Sequence, residues 1–585
     1  MNSKLAALRA QMEGRGLTAY LVPRADEHLG EYVQPNAERL AWLTGFTGSA
    51  GLAVVLQDRA ALFVDGRYTI QAAEQTDQTV WEPHHLVKDP APKWLAKLLP
   101  DEALVGCDPM LFSADQLAAY ERNGITLARV AKNLVDAIWT DRPPPVMKPA
   151  VIHPLEYAGV TSAEKREQVA AILRDAGQDV AVITDPASIC WLLNIRGADV
   201  DFTPFLLAFA LVRASGEVSL VVEPEKISSD VAAWLGNSVS IVPRQDLKLS
   251  LIALAHSRVR VDGAGSPAWF ADFLRENEAE VIPARDPCAL LKACKNETEQ
   301  DGARTAHHVD AVAVCRFLHW LQTATGETEL SAATQLWAFR SEGAGFQSES
   351  FATISAAGPH GSIVHYRVTE ETDRAIEPGD MYLVDSGGQY LSGTTDITRT
   401  VWMGDAEPPE AVRVDYTRVL QGHLALGAIQ FPEGVAGPHL DVLARAPLWR
   451  VGLDYDHGTG HGVGSYLSVH EGPQNISKKI ISQPLKPGMI VSNEPGFYKS
   501  EEYGIRIENL VVVTEPEDVP GGERKMMRFE TITLAPIDID LVEPKLLTAE
   551  ERDWLNAYHM RVREALTPLV DDETKAWLVN ATRAV

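Results

Sequence analysis

Two stretches in the C-terminal half constrain the fold more than any other part of the chain. They are Tyr382-Leu-Val-Asp385-Ser-Gly-Gly-Gln-Tyr-Leu-Ser-Gly-Thr-Thr-Asp396 and Ser492-Asn-Glu494-Pro-Gly-Phe-Tyr-Lys-Ser-Glu-Glu-Tyr-Gly-Ile-Arg506-Ile-Glu508-Asn. Each reads as a β-hairpin carrying two carboxylates. In the first, an apolar strand ends on Asp385, Gly387-Gly388 supplies a turn, and the residues from Thr395 to Val401 alternate as a second strand; paired, Asp385 and Asp396 would face each other. The second repeats the plan. One strand runs in to Glu494, Pro495-Gly496 and Tyr503-Gly504 mark the turn region, and a strand runs out from Ile505, giving Glu494 and Glu508 the corresponding places. Two such hairpins imply two related halves about a pseudo-two-fold axis.

A lone acid at a strand end is ordinarily a turn former or a solvated group. These acids sit differently: Tyr-Leu-Val precedes Asp385, and Ile507 and Leu510-Val-Val-Val513 flank Glu508. A buried carboxylate is costly unless it is paired or holds a cation. Between the hairpins lies Asp456-His457-Gly-Thr-Gly-His461-Gly-Val-Gly464. Its histidines have the spacing of a helical zinc-protease motif, but glycines at 458, 460, 462 and 464 argue against a helix; they let a histidine approach a metal closely instead. Four acids and an imidazole at one point read as a hydrolase metal site, and as one for two ions. Oxygen-rich ligation with one imidazole suits Mn²⁺ or a similar hard ion. Two ions about 3.5–4 Å apart can share carboxylates and bind one water that becomes hydroxide near neutral pH. A carboxylate can take its proton and a histidine can hydrogen-bond the developing oxyanion. His365 and His470 each end a β-like run, and taken alone each reads as a packed or surface histidine.

At 585 residues the chain exceeds one core and suggests several domains. A formal charge of −27 argues against a nucleic-acid binder, which needs a basic face to neutralise phosphates. The start lacks the apolar core of a signal peptide, and no run approaches the roughly 20 apolar residues that span a bilayer. Five scattered cysteines, none near the acid cluster, read as reduced thiols in a cytoplasmic protein.

The N-terminal half looks duplicated. Ser3 can cap a helix with Leu5, Leu8 and Met12 on one face, followed by a turn and the strand Ala19-Tyr-Leu-Val22. Thr161-Ser-Ala-Glu164 is a capping box opening a helix with Val169, Ile172 and Leu173, followed by a turn and the strand Val180-Ala-Val-Ile183. Leu40-Ala-Trp42-Leu then rhymes with Ile189-Cys-Trp191-Leu, and each precedes paired-strand sequence, Leu52 to Val64 and Phe205 to Val222. A Pro-rich linker, 142–149, marks one boundary; Lys295-Asn-Glu-Thr marks the next. A last capping box, Thr548-Ala-Glu-Glu551, opens an amphipathic helix.

Together these motifs resemble the pita-bread metallopeptidases, which include methionine aminopeptidases, prolidases and aminopeptidases P. The resemblance is strongest to the long, three-domain aminopeptidase P form. Matching stretches run through nearly the whole chain, among them Glu31-Tyr32, Gly45-Phe-Thr-Gly-Ser-Ala-Gly51, Val64-Asp-Gly-Arg-Tyr68, Ser362-Ile-Val-His365-Tyr, Gly393-Thr-Thr-Asp396-Ile-Thr-Arg-Thr and the histidine loop. It implies an α/β and α+β multidomain fold: creatinase-like α/β domains at 1–145 and 155–290, a pita-bread catalytic domain at 295–542 and a helical extension at 543–585. It implies two divalent ions, Mn²⁺ by preference, held by Asp385, Asp396, His461, Glu494 and Glu508. Asp385 would chelate one ion and His461 the other. Glu494 would be the general base. His365 and His470 would position substrate and stabilise charge, His457 would line the substrate pocket, and Arg506 would brace the site. The implied activity is release of the first residue from peptides beginning Xaa-Pro, by a cytoplasmic homodimer with no nucleic-acid or membrane partner. A dipeptide-restricted prolidase and a metal-free binding module are the competing readings. The resemblance leaves Glu31 open between a partner subunit's active site and a local surface role.

Overall fold

The computed structural model describes residues 3–585, which form two compact units, one of residues up to 154 with 160–289 and the other of 155–159 with 290–585.

The first unit contains two copies of one sheet. In the first copy the strand order is Glu82–His85, Ala60–Val64, Gly51–Leu56, Ala19–Pro23, Leu104–Cys107, Thr126–Arg129. In the second it is Val239–Val242, Val218–Val221, Phe209–Arg213, Val180–Ile183, Arg258–Val261, Glu280–Pro283. Both sheets run parallel, antiparallel, antiparallel, parallel, parallel across their neighbours. The duplication therefore extends from sequence landmarks to topology. Side chains alternate across the first sheet. Tyr20, Val22, Ala53 and Val55 pack on one face with the helix residues Leu5, Leu8 and Met12. Ala19, Leu21, Leu52, Val54 and Phe63 pack on the other. Both faces are covered, which is why the four inner strands are near-continuous apolar runs, while the edge strands Glu82–His85 and Thr126–Arg129 are more polar. Each buried Leu or Met on that helix contributes about 1.5–3 kcal/mol. Ser3 is itself helical and not the cap expected of it. Thr161 and Thr548 do form the expected capping boxes.

The second unit repeats one motif: two packed helices, a strand, then a hairpin. The helices Glu297–Thr323 and Glu329–Ser341 precede Ile354–Ala357, which pairs with Met381–Ser386, which pairs with Ile397–Trp402. The helices Glu410–Gly427 and Gly437–Trp449 precede Gly460–Gly462, which pairs with Ile490–Asn493, which pairs with Asn509–Val513. This is the pseudo-two-fold expected from the hairpins. The C-terminal helices Ala549–Leu566 and Asp572–Ala581 close one core, where Leu555, Tyr558, Val562 and Leu578 meet Tyr416, Leu420, Ile505 and Ile507.

Both hairpins are longer than the sequence suggested, and both are interrupted. Gln389 and Tyr390 pair with Thr394 and Gly393 in the register set by Ser386 and Ile397, so residues 381–402 form one hairpin broken around Gly387 and Asp396. Gly496 pairs with Arg506 in the register set by Asn493 and Asn509, so 490–513 is one hairpin broken at Glu494-Pro495 and Ile507-Glu508. Asp396, Glu494 and Glu508 sit at the breaks, and Asp385 is paired two residues before the first.

Candidate metal centre

The two breaks place the acids differently. Glu494 and Glu508 lie opposite each other, as expected. Asp385 lies opposite Thr398, not Asp396; register sets Asp396 opposite Gly387, so the two aspartates share a face diagonally. A side chain at 387 has no room, since a Cβ there would stand 2.0 Å from the Thr395 carbonyl oxygen.

Broken ladders free backbone donors. The Glu508 amide donates to the Thr398 carbonyl (3.1 Å) and the Glu494 amide to the Thr459 carbonyl (2.8 Å). These bonds tie one hairpin to the other and to the histidine loop. Arg399 adds to the tie: fully buried, it donates to the carbonyls of Thr398, Glu508, Ala535 and Pro536 and to the Tyr558 hydroxyl.

The histidine loop is irregular up to Gly460, so His457 and His461 do not share a helix face. Gly460 approaches the strand at Ser492 so closely that a Cβ would lie 2.0 Å from the Ser492 carbonyl oxygen. Ser492 Oγ accepts the His461 amide (2.9 Å) and donates to Glu494 Oε1 (3.1 Å). His461 Nδ1 donates to the Gly462 carbonyl (2.9 Å), which directs Nε2 at the acids: 3.4 Å from Asp396 Oδ2 and 3.5 Å from Glu494 Oε1. Among the described residues, Asp396, His461 and Glu508 bring ligand atoms within 4.8 Å of one another. Asp385 and Glu494 adjoin this cluster electrostatically, each feeling the charge of Asp396.

Arg506, buried, braces the set. It donates to Asp385 Oδ2 (2.5 Å), the Tyr498 hydroxyl (2.6 Å), Thr398 Oγ1 (3.2 Å) and the Val364 carbonyl (3.4 Å). Thr398 Oγ1 in turn donates to Glu508 Oε2 (2.7 Å). Tyr498 bonds His457 Nε2 (2.8 Å), and His457 Nδ1 bonds the Gly458 carbonyl (2.7 Å), leaving that ring 3.9 Å from Glu494. The His470 ring stands edge-on to His461 at 4.5 Å and lies just before the strand Glu471–Ile476, not at the end of a strand. His365 lies in a turn after the 3₁₀ segment Gly358–Ser362, not at the end of a strand. That loop is held by Glu329. Fully buried, Glu329 accepts from the Ala357 and Arg374 amides, His360 Nδ1 and the Tyr366 hydroxyl. Nothing in the local sequence marks Tyr498, Thr398, Ser492 or Glu329 as site residues. Tyr498 and Thr398 fall inside the recognised motifs, whereas Glu329 carries no local signal.

Burial, and then the neighbouring acids, push Glu508 well above the usual carboxylate range. Burial likewise raises Asp385 and Glu494, against the opposing pull of Arg506. Burial lowers His461, but Asp396 and Glu494 outweigh it and lift the ring to about 9. Asp385 Oδ1 and Glu508 Oε1 are buried without a hydrogen-bond partner. Orphaned carboxylate oxygens beside an inward imidazole are what divalent cations satisfy, and the donor set fits them. Fold and site together define a metal-dependent hydrolase of the pita-bread kind.

Comparison with known proteins agrees. The model of metallopeptidase family M24 matches residues 301–515, with a C-terminal region of that family at 525–585. Creatinase/prolidase N-terminal domains match 4–137 and 141–299. The chain is 36% identical to aminopeptidase P1 of Lotus japonicus, covering all of both chains. It is 38% identical to a probable Xaa-Pro aminopeptidase P of Neurospora crassa, covering 99% of this chain and 88% of the relative. The crystal structure of X-prolyl aminopeptidase from Caenorhabditis elegans, described as a cytosolic enzyme with a di-nuclear active site, superposes with a TM-score of 0.94 at 33% identity, covering 100% of this chain and 99% of that one. The chain therefore belongs to metallopeptidase family M24, in its aminopeptidase P group with two creatinase/prolidase N-terminal domains.

Proposed function

We propose that the chain releases the N-terminal residue from peptides beginning Xaa-Pro, using two divalent ions, Mn²⁺ by preference. The observation that carries this reading is the pair of orphaned carboxylate oxygens, Asp385 Oδ1 and Glu508 Oε1, beside the Asp396–His461–Glu508 cluster. The substrate class is supported by end-to-end similarity to relatives named for it, and a cytosolic location by the description of the nematode enzyme.

In this reading Asp396, Glu494 and Glu508 would hold both or either ion, with Asp385 serving one and His461 the other. The ions would polarise the scissile carbonyl and acidify a water molecule. Arg506 keeps Asp385 oriented through Oδ2 while Oδ1 stays available. Glu494, steadied by Ser492, takes the proton of the attacking water. His470, fixed edge-on to His461, and His365, on the loop held by Glu329, position substrate and stabilise charge developing on its carbonyl oxygen. His457, tied to Tyr498, lines the pocket. An Xaa-Pro bond is a tertiary amide without an N–H, so enzymes that grip an extended backbone by its amides handle it poorly, and a dedicated site answers that.

The test is cleavage of an Xaa-Pro dipeptide and a longer Xaa-Pro-Yaa peptide with and without added Mn²⁺. Manganese-dependent release of the first residue from the longer peptide is expected. Cleavage of the dipeptide alone would make the chain a prolidase, and no cleavage of either in metal-loaded protein would refute the reading.

A further inference from the structure

The loop 454–462 carries two of the site's histidines on a segment broken by Gly458, Gly460 and Gly462, residues that lose more backbone freedom on ordering than any other. Something outside the loop has to hold it. The helix Gly437–Trp449 presents Asp441 and Arg445, one turn apart, 3% and 0% exposed. Arg445 Nε donates to Asp441 Oδ2 (2.7 Å), Nη1 to Asp454 Oδ1 (2.8 Å) and the Tyr455 carbonyl (2.7 Å), and Nη2 to the His457 carbonyl (2.8 Å). Its guanidinium lies over the Tyr455 ring, 3.9 Å from the centroid. Asp441 Oδ1 accepts from Thr459 Oγ1 (2.5 Å), so the Tyr455 hydroxyl donates to Thr459 (2.6 Å). The Thr459 carbonyl then accepts the Glu494 amide.

We infer that Asp441 and Arg445 are positioning residues of the metal centre, a helix-borne clamp that fixes His457 and, through Thr459, Glu494. A buried ion pair is weak evidence for stability, because its desolvation cost offsets its attraction. Beyond the bond within the pair, its hydrogen bonds go to Asp454, Tyr455, His457 and Thr459, all on one glycine-rich loop. The contacts also need a planar fork: three nitrogens serve four acceptors, which the single ammonium of lysine cannot match.

The inference rests on the metallopeptidase reading of the site, so its test includes readouts independent of peptide cleavage. Arg445→Lys and Asp441→Asn are made in the full-length protein. Manganese affinity is measured by calorimetry, amide exchange is followed over 454–462, and kcat and KM are taken at saturating metal. For Arg445→Lys, manganese affinity is expected to fall about 10–100-fold, as for other groups that orient metal ligands. Exchange should rise over 454–462 ahead of the rest of the domain, and kcat should fall with KM little changed. Asp441→Asn, which keeps the acceptor for Thr459, should lie between Arg445→Lys and the unaltered protein. Unchanged manganese affinity and metal-saturated kcat, whatever happens to the melting temperature, would overturn the clamp, as would a rise in exchange spread evenly over the domain. If the unaltered protein cleaved no Xaa-Pro peptide, the functional reading would fall while affinity and exchange still decided the clamp.

Discussion

Acid should loosen the C-terminal helices from the catalytic unit through one histidine. His559 is fully buried on the helix Ala549–Leu566, its Nε2 accepting the Ile537 amide (3.1 Å) and its Nδ1 without a partner. Burial, and then the charges of Arg399 and Arg563, hold it near 3, against 6.5 for a free histidine. No acid pairs with it, so the folded state keeps the ring neutral while the unfolded chain protonates it. The unfolded state therefore binds one more proton between about pH 6.5 and pH 3, and stability is fully present above 6.5 and lost as pH falls through that window. At about 1.4 kcal/mol per pH unit, the ring accounts for roughly 3 kcal/mol between pH 6.5 and pH 4.

His559→Gln removes the titration while its side-chain oxygen can still accept from Ile537. Urea unfolding of metal-depleted protein, followed across pH 4–7, should show a shallower acid slope in the variant than in the unaltered chain, by close to one proton. His423 and His153, also buried and lowered to about 3 and about 2, keep the residual slope. Parallel slopes in the two proteins would refute the reasoning. The matter bears on the site because Ile537 adjoins Ala535 and Pro536, whose carbonyls anchor Arg399 behind Glu508.

Asp396→Asn should lower metal content and activity together, whereas His365→Ala should lower activity and spare the metals; equal metal loss in both, read by elemental analysis, would refute that division. Thr398→Val removes the hydroxyl shared by Glu508 and Arg506 and should weaken manganese binding about 10–100-fold by titration, whereas unchanged affinity would show the hydroxyl to be dispensable. Gly460→Ala puts a methyl group into the Ser492 carbonyl and should cost about 1–3 kcal/mol of stability in thermal melts along with metal affinity, and a variant as stable as the parent would show that the strands yield freely.

The acids were legible because their hairpins carry local signals, alternation and turn glycines, and because their neighbours are too apolar for solvated charges. The aspartate register was not. The break around Gly387 and Asp396 arises from the close packing of Thr395 against Gly388 and Ser350, and nothing in the local pattern encodes it. Ser-Ile-Val before His365 has the pattern of a strand, but its loop answers to Glu329, a residue distant in sequence. The doubled N-terminal half showed in its helix, turn and strand landmarks. Its sheet order did not, since parallel neighbours such as Ala19–Pro23 and Leu104–Cys107 are joined by long crossovers with no pairing signature.

The interruptions explain why the ligands stay in place. Every buried amide must find an acceptor, and a hairpin that stops pairing at Glu494 and Glu508 releases two. Each goes to the element that carries another part of the site: Glu508 to the strand of Thr398, Glu494 to Thr459 in the histidine loop. A glutamate cannot leave its position without breaking a backbone bond to its neighbour, so ligand geometry is secured by main chain as well as by side chains. This also accounts for the small residues around the acids. Gly387 and Gly460 allow backbone to approach backbone, Ser492 supplies a short hydroxyl that bridges the His461 amide to Glu494, and Thr398 supplies one that bridges Arg506 to Glu508. Larger residues at these four positions would leave the acids in the sequence and remove the arrangement that brings them together.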